Sequence, residues 1–240
     1  MDIEKDFEEG CFVSRYGKMH YKRHAGSGPA VVFIHGLAGS VHTWTRLMRH
    51  MKEDMDVCLI DLLGHGDSEV PDIDYTLRTH YETVNGLIEN LNLGGYSVFG
   101  HSYGGWLAAY IAIQNRIDGM ILEDASGLKD FYKERFGLNP DYKEEIIRKA
   151  RKLNPHEKVL RSMFDADNSE EFLTSTNLET IDSKALIIWG ENDATIDQRY
   201  AYDFKRYIKN SRLEIIKGER HTPHYTNPEA VARLILKFLY

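Results

Sequence analysis

The segment Val98-Phe99-Gly100-His101-Ser102-Tyr103-Gly104-Gly105 constrains this chain more than any other. It sets Gly-x-Ser-x-Gly at Gly100, Ser102 and Gly104. An apolar β-like run, Tyr96 to Phe99, precedes it, and an apolar helical run, Trp106 to Ile113, follows it. Strand, sharp turn and helix in that order predict a nucleophile elbow, which lifts a serine Oγ clear of a sheet on a strained backbone. Side chains two residues to either side would collide there, so glycine is favoured at both places.

Elsewhere short apolar runs alternate with helical ones, which argues an α/β sandwich around a mostly parallel sheet flanked by helices. Phe12 to Tyr16 and Met19 to His24, joined at Gly17-Lys18, read as an opening hairpin. Ala30 to Ile34, Val57 to Ile60, Gly119 to Leu122, Ala185 to Trp189 and Leu213 to Ile216 are apolar runs, as suits strands covered on both faces. Tyr75 to Leu91 has helical spacing, and Glu229 to Leu239 forms a closing helix behind Pro228. Residues 128–183 break this rhythm. They hold no clear strand but three helix-start signals, at Asn139-Pro140, Asn154-Pro155 and Ser169-Glu170-Glu171. The expectation is a core of residues 1–127 and 184–240 with residues 128–183 inserted as a small helical cap over a site.

At 240 residues the chain suits one domain with a modest insertion, large enough to bury a core without covalent staples. Lys and Arg number 30 against 37 Asp and Glu, and the net charge of −7 argues against a nucleic-acid partner. The two cysteines, Cys11 and Cys58, sit in strand-like runs and are expected as buried free thiols. The N-terminus has no apolar signal region and no stretch is long enough to span a bilayer, so a cytoplasmic protein without a membrane partner is expected. Monomer and homodimer both remain open.

Four further motifs follow the same order along the chain as they do around Gly100–Gly104 in a known family. Val31-Val32-Phe33-Ile34-His35-Gly36-Leu37 is a strand ending in a His-Gly turn. Asp61-Leu62-Leu63-Gly64-His65-Gly66-Asp67-Ser68 is a D-x-x-G-x-G-x-S loop. Trp189-Gly190-Glu191-Asn192-Asp193 carries G-x-x-D, and Gly218-Glu219-Arg220-His221, with Pro228-Glu229 beyond it, is a histidine loop. With these the chain resembles the α/β-hydrolase family over nearly all its length, in its serine-esterase-like form with a small helical cap. The resemblance implies that Ser102 is the nucleophile, His221 the general base and Asp193 the acid that orients it, in the family's Ser, Asp, His order. His224 is the rival base and otherwise supports or lines the pocket; Asp124, after the sixth strand, is the rival acid. Asp193 also has the form of a helix-capping aspartate. The oxyanion hole is implied to be the backbone N–H groups of Leu37 and Tyr103.

His101 adjoins Ser102, but adjacent side chains diverge at a turn, so a structural role is expected; His35 is expected to shape the oxyanion turn. His20-x-x-x-His24 lies on a predicted strand, where that spacing does not converge on a metal, and no metal or cofactor is expected. The insert supplies Phe131, Phe136, Met163 and Phe164, which with Trp106 and His224 are the candidate pocket lining. The resulting expectation is a carboxylesterase for small to medium apolar esters, working through an acyl-enzyme. A carbon–carbon hydrolase, thioesterase or lactonase on the same residues is the alternative within the family, and a ligand-binding receptor or pseudoenzyme is the alternative outside it.

Overall fold

The computed structural model describes residues 1–138, 141–165 and 168–240, with the side chains of 136–138 left aside. Eight strands form one sheet in the order β1-β2-β4-β3-β5-β6-β7-β8. They are β1 (Glu8–Ser14), β2 (Gly17–His24), β3 (Ala30–Ile34), β4 (Asp56–Ile60), β5 (Ser97–His101), β6 (Gly119–Glu123), β7 (Lys184–Gly190) and β8 (Ser211–Ile216). β1 and β2 are antiparallel to each other, and β2 to β4; every other pairing is parallel. This is the expected mostly parallel α/β sheet.

The helices between the strands are α1 (Thr45–Met48), α2 (Leu77–Leu91), α3 (Tyr103–Gln114) and, between β6 and β7, α4 (Lys129–Leu138), α5 (Asp141–Ala150), α6 (Glu157–Asp165) and α7 (Ser175–Leu178). The remainder are α8 (Arg199–Tyr207), α9 (Pro223–Thr226) and α10 (Pro228–Leu239). Alternation along the central strands sorts the core into two layers. Val32, Val98, Leu122 and Ile187 face α2, α3 and α8. Val31, Phe99, Ile121 and Leu186 face α1 and α10. The helix α3 is buried on almost every side, because it lies between the sheet and the α4–α7 insert. That is why its sequence is apolar rather than amphipathic.

The insert is tied down by polar contacts at its base. Asn154 Nδ2 donates to Gly64 O at 2.8 Å, and Ser162 Oγ and Asn168 Oδ1 accept from the Tyr75 and Leu77 N–H groups at 3.0 and 2.7 Å. The buried Glu171 carboxylate takes Arg78 Nε at 2.8 Å. Leu128 and Leu173 form an isolated parallel bridge where the insert leaves and rejoins the core.

Several local expectations are corrected. The hairpin turns at Arg15-Tyr16, since Ser14 pairs with Gly17; Gly17, at φ 148°, opens β2 rather than forming the turn. Cys11 is exposed, because β1 is an edge strand, whereas Cys58 is buried and its thiol pKa is pushed up to about 12 by burial. Ser169-Glu170-Glu171 starts no helix: Glu171 is drawn inward by Arg78, and the next helix begins at Ser175 behind a Thr174 capping box. Asn154 accepts from His156 N, and α6 begins at Glu157. The Asn139-Pro140 signal lies outside the described residues.

Candidate active site

The sheet order reverses between β3 and β5: the chain moves from β3 outward to β4, then returns to the other side of β3. Their carboxyl ends therefore leave a crevice at a topological switch point, where ligands of open α/β sheets bind. Two loops enter it, Gly36-Leu37 after β3 and the elbow after β5. They run close together: a side chain at Gly36 would meet Ser102 Cβ at 3.2 Å.

Ser102 has φ 52° and ψ −114°, a conformation that L-residues avoid and that only surrounding structure can impose. Its Oγ lies 3.0 Å from His221 Nε2. His221 Nδ1 lies 2.7 Å from Asp193 Oδ2. Asp193 Oδ1 accepts from the Thr195 and Ile196 N–H groups at 2.7 and 3.1 Å. One carboxylate thus caps the turn after β7 and holds the imidazole. Nδ1–H donated to Asp193 leaves Nε2 as the acceptor facing Ser102.

The rivals are placed elsewhere. His224 is buried; its N–H donates to Glu123 Oε1 at 2.9 Å, and its Nδ1 contacts Glu123 Oε2. It borders the cavity and at the same time anchors the His221 loop to the end of β6. Asp124 accepts from Gly190 N–H at 2.9 Å through Oδ1, and its Oδ2 has no hydrogen-bond partner among the described residues. Burial, with Glu123 and Asp193 nearby, raises its pKa well above the carboxylate range. Asp193, not Asp124, holds the imidazole.

His101 Nε2–H donates to the His221 carbonyl at 2.7 Å, so it positions the His221 loop through its backbone. His35 Nδ1–H donates to Gly36 O at 2.8 Å, and its Nε2 accepts from Leu62 N–H at 3.1 Å, which braces the turn ahead of Leu37. Tyr103 opens α3, where a helix N–H has no intrahelical acceptor. Its phenol is turned away to His80 Nδ1 at 2.8 Å. Ala38, just beyond Leu37, sits at φ 61°. His20 bonds Asp61 at 2.8 Å, while both ring nitrogens of His24 are spent on the Asp6 and Glu53 carbonyls. These two histidines do not converge.

His35, His65, His80 and His101 are buried, and burial lowers each pKa, to about 4 for His80. A base whose folded pKa lies below its unfolded value of about 6.5 binds fewer protons when folded. Its contribution is complete above that value and is lost as pH falls toward the folded pKa. Asp124, Asp203, His20 and His24 are raised in the fold and have the opposite sign, but the large shifts at His65, His80 and His101 outnumber the one at Asp124. The urea midpoint is expected to fall between pH 7 and pH 5, each histidine contributing at most about 1.4 kcal/mol per pH unit. A flat or rising midpoint would contradict neutral burial of these rings.

A cavity of about 530 Å³ opens above Ser102 and His221. Leu37 and Tyr103 line its floor, and Phe131, Met163 and Phe164 reach it from the insert. Phe136, also expected there, has a side chain outside those described. Trp106 does not line it. Its ring stacks on Phe172 at 5.2 Å and its Nε1–H donates to Glu171 O at 2.8 Å, because residue 106, one turn beyond Tyr103, points from α3 toward the base of the insert. Composition missed the polar lining, Arg135, Glu145 and Lys149. The available signal was helical spacing: Arg135 follows Phe131 by four residues, and Lys149 follows Glu145 by four, so each shares a helix face with its predecessor.

A curated protein of Mycobacterium bovis without an assigned function is 25% identical to this chain over 273 residues, spanning 95% of this chain and 80% of its own. A lipase of Mycobacterium tuberculosis is 30% identical over 142 residues, 56% of this chain and 54% of its own. Among solved structures, the 2-hydroxy-6-oxo-6-phenylhexa-2,4-dienoate hydrolase of a Rhodococcus strain superposes with a TM-score of 0.77 at 18% identity, over 96% of this chain and 98% of that one. Among the described residues no helix is long and apolar enough to cross a membrane. The family model for the alpha/beta hydrolase fold matches residues 29–155, more than half of the chain and the span that carries the β3 loop and the elbow. The chain belongs to the alpha/beta hydrolase fold family.

Proposed function

We propose that the protein is a serine hydrolase that cleaves carboxylic esters of small to medium acyl chains through an acyl-enzyme. One observation carries this reading: Ser102 Oγ, the His221 ring and the Asp193 carboxylate form a continuous hydrogen-bonded chain of 3.0 and 2.7 Å, on a serine held at positive φ beneath a cavity lined in good part by apolar side chains. That order of donor and acceptor is what activates a hydroxyl at neutral pH.

In this reading His221 Nε2 takes the Ser102 proton as Oγ attacks the ester carbonyl. The Leu37 and Tyr103 N–H groups hold the oxyanion; such donors are typically worth ~3–4 kcal/mol each. His221 then protonates the departing alkoxide. A water deprotonated by His221 attacks the acyl-enzyme, and collapse of that intermediate releases the acid and restores Ser102. Asp193 keeps the imidazole in the reactive tautomer throughout. Base, acid and oxyanion donors all come from the chain, so the reading calls for no metal or organic cofactor.

The test is turnover of p-nitrophenyl esters from two to twelve carbons. Multiple turnover with an optimum at short to medium length is expected. At most one slow event per molecule, with the protein folded, would replace this reading with that of a binding protein.

A further inference from the structure

We propose that the acyl group of the substrate carries a carboxylate at its far end, and that Arg135 binds it at the cap side of the cavity. This rests on the serine-esterase reading above and narrows its substrate class.

Three charged side chains other than histidines line the cavity, namely Arg135, Glu145 and Lys149. Lys149 Nζ lies 2.6 Å from Glu145 Oε1, so this pair is neutralised. The Glu145 pKa is lowered chiefly by that bond to Lys149, with Arg135 the smallest contributor. Among the described residues, no carboxylate lies within ion-pair distance of Arg135. Its polar contacts include an N–H to Ala194 O, at 3.3 Å, and a hydrogen bond to the Tyr142 hydroxyl, with the guanidinium 5.1 Å from the centre of the Tyr142 ring, so donors of the fork remain for a ligand. A guanidinium carries five donors in a planar fork. Half-buried in a largely apolar cavity, it keeps a strong preference for a planar anion that can accept two of them.

Its position fits a substrate group remote from the reacting carbonyl. Arg135 is on α4, in the insert, while Ser102 is on the floor. The carbonyl it touches belongs to Ala194, next to Asp193. An anion held there would lie at the cap end while the ester carbonyl meets Ser102. A cavity of about 530 Å³ accommodates a short dicarboxylic half-ester or a small ring acid, not a long lipid chain.

The surface around the mouth carries the same sign. Arg148, Lys149, Arg151 and Lys152 are all exposed at the end of α5 and just beyond it, beside Leu153 on the cavity rim. Glu145 and Glu157 answer Lys149 and Arg151, whereas Arg148 and Lys152 form no ion pair among the described residues. On a chain of net charge −7 this concentrates positive potential where substrate enters, which favours approach of an anion.

The experiment compares mono-p-nitrophenyl adipate and suberate with p-nitrophenyl hexanoate and octanoate, matched in chain length. In the wild type, kcat/KM is expected to favour the anionic member of each pair at least tenfold. Arg135→Met should lower that preference about ten- to a hundredfold, the range of a hydrogen bond to a charged group, mainly through KM. Arg135→Lys should restore part of it, and 0.5 M salt should reduce it. A wild-type preference for the neutral ester, or an equal loss on both classes in Arg135→Met, overturns the proposal; the equal loss is what a purely structural bond to Ala194 would produce. If neither class turns over, the esterase reading fails separately. Calorimetric titration with adipate and hexanoate then decides this proposal, and adipate binding that Arg135→Met leaves unweakened overturns it.

Discussion

Replacing Ser102 by alanine is expected to lower ester turnover by about a millionfold in kcat, the order that loss of a triad nucleophile costs. The reason is geometric. Ser102 Oγ is the atom 3.0 Å from His221 Nε2; without it the imidazole has only water to activate. What remains should be the modest acceleration that oxyanion donors and binding provide without a nucleophile. KM should change little, because the removed hydroxyl is a small part of a cavity of about 530 Å³. The same variant should take no label from a fluorophosphonate, while the wild type gains one adduct per chain at Ser102, read by mass spectrometry. Retention of a tenth or more of the activity would remove Ser102 from the mechanism. Asp193 would then remain as a capping residue, since its Oδ1 bonds to Thr195 and Ile196 N–H groups stand regardless.

The largest structural effect is expected at the two glycines that bracket this serine. A Cβ on Gly100 would sit 2.0 Å from Gly104 O and 2.4 Å from its carbonyl carbon. One on Gly104 would sit 2.1 Å from Ile34 O. All three of these neighbours are backbone atoms, held by the β3–β5 pairing and by the first turn of α3, so none can swing aside. Gly100→Ala and Gly104→Ala must therefore open the turn or part β3 from α3. A loss of about 3 kcal/mol or more is expected for each, at the upper end of overpacking costs. Gly94 is the internal control: an added Cβ there meets nothing within 4 Å, and Gly94→Ala should stay within about 0.5 kcal/mol. Urea midpoints for the three variants give the comparison. Equal midpoints would mean that the elbow tolerates a wider turn than its packing allows.

These two predictions use the features that were most legible in the sequence. The β3, β5, β6 and β7 runs were recognisable because parallel strands covered on both faces must be apolar at nearly every position. The elbow was recognisable because its sterics tolerate few residues. Ser102, Asp193 and His221 can be proposed as a set from motif order alone, although they stand 119 and 28 residues apart along the chain, and the fold brings them within hydrogen-bond distance.

The misses share a different cause. Composition points Trp106 into the pocket, but it packs on Phe172; the Ser169-Glu170-Glu171 string suggests a helix start, but Glu171 is buried against Arg78. Cys11 was expected to be buried and is exposed, because nothing in its own run reveals that β1 is an edge strand. Arg135, Glu145 and Lys149 are not among the candidate pocket residues that the sequence offers, yet all three border the cavity.

Local sterics and burial act within a few residues, so a linear string was enough for the parallel strands, the elbow and the identity of the chemical groups. Which face of α4, α5 and α6 turns toward Ser102 depends on how the insert docks onto the loops after β4 and β5. That docking runs through Asn154, Ser162, Asn168 and Glu171, whose partners lie 65 to 93 residues away. The polarity of the cavity, and with it the charge of the substrate it suits, is a consequence of those long-range contacts and has no counterpart in any single stretch of sequence.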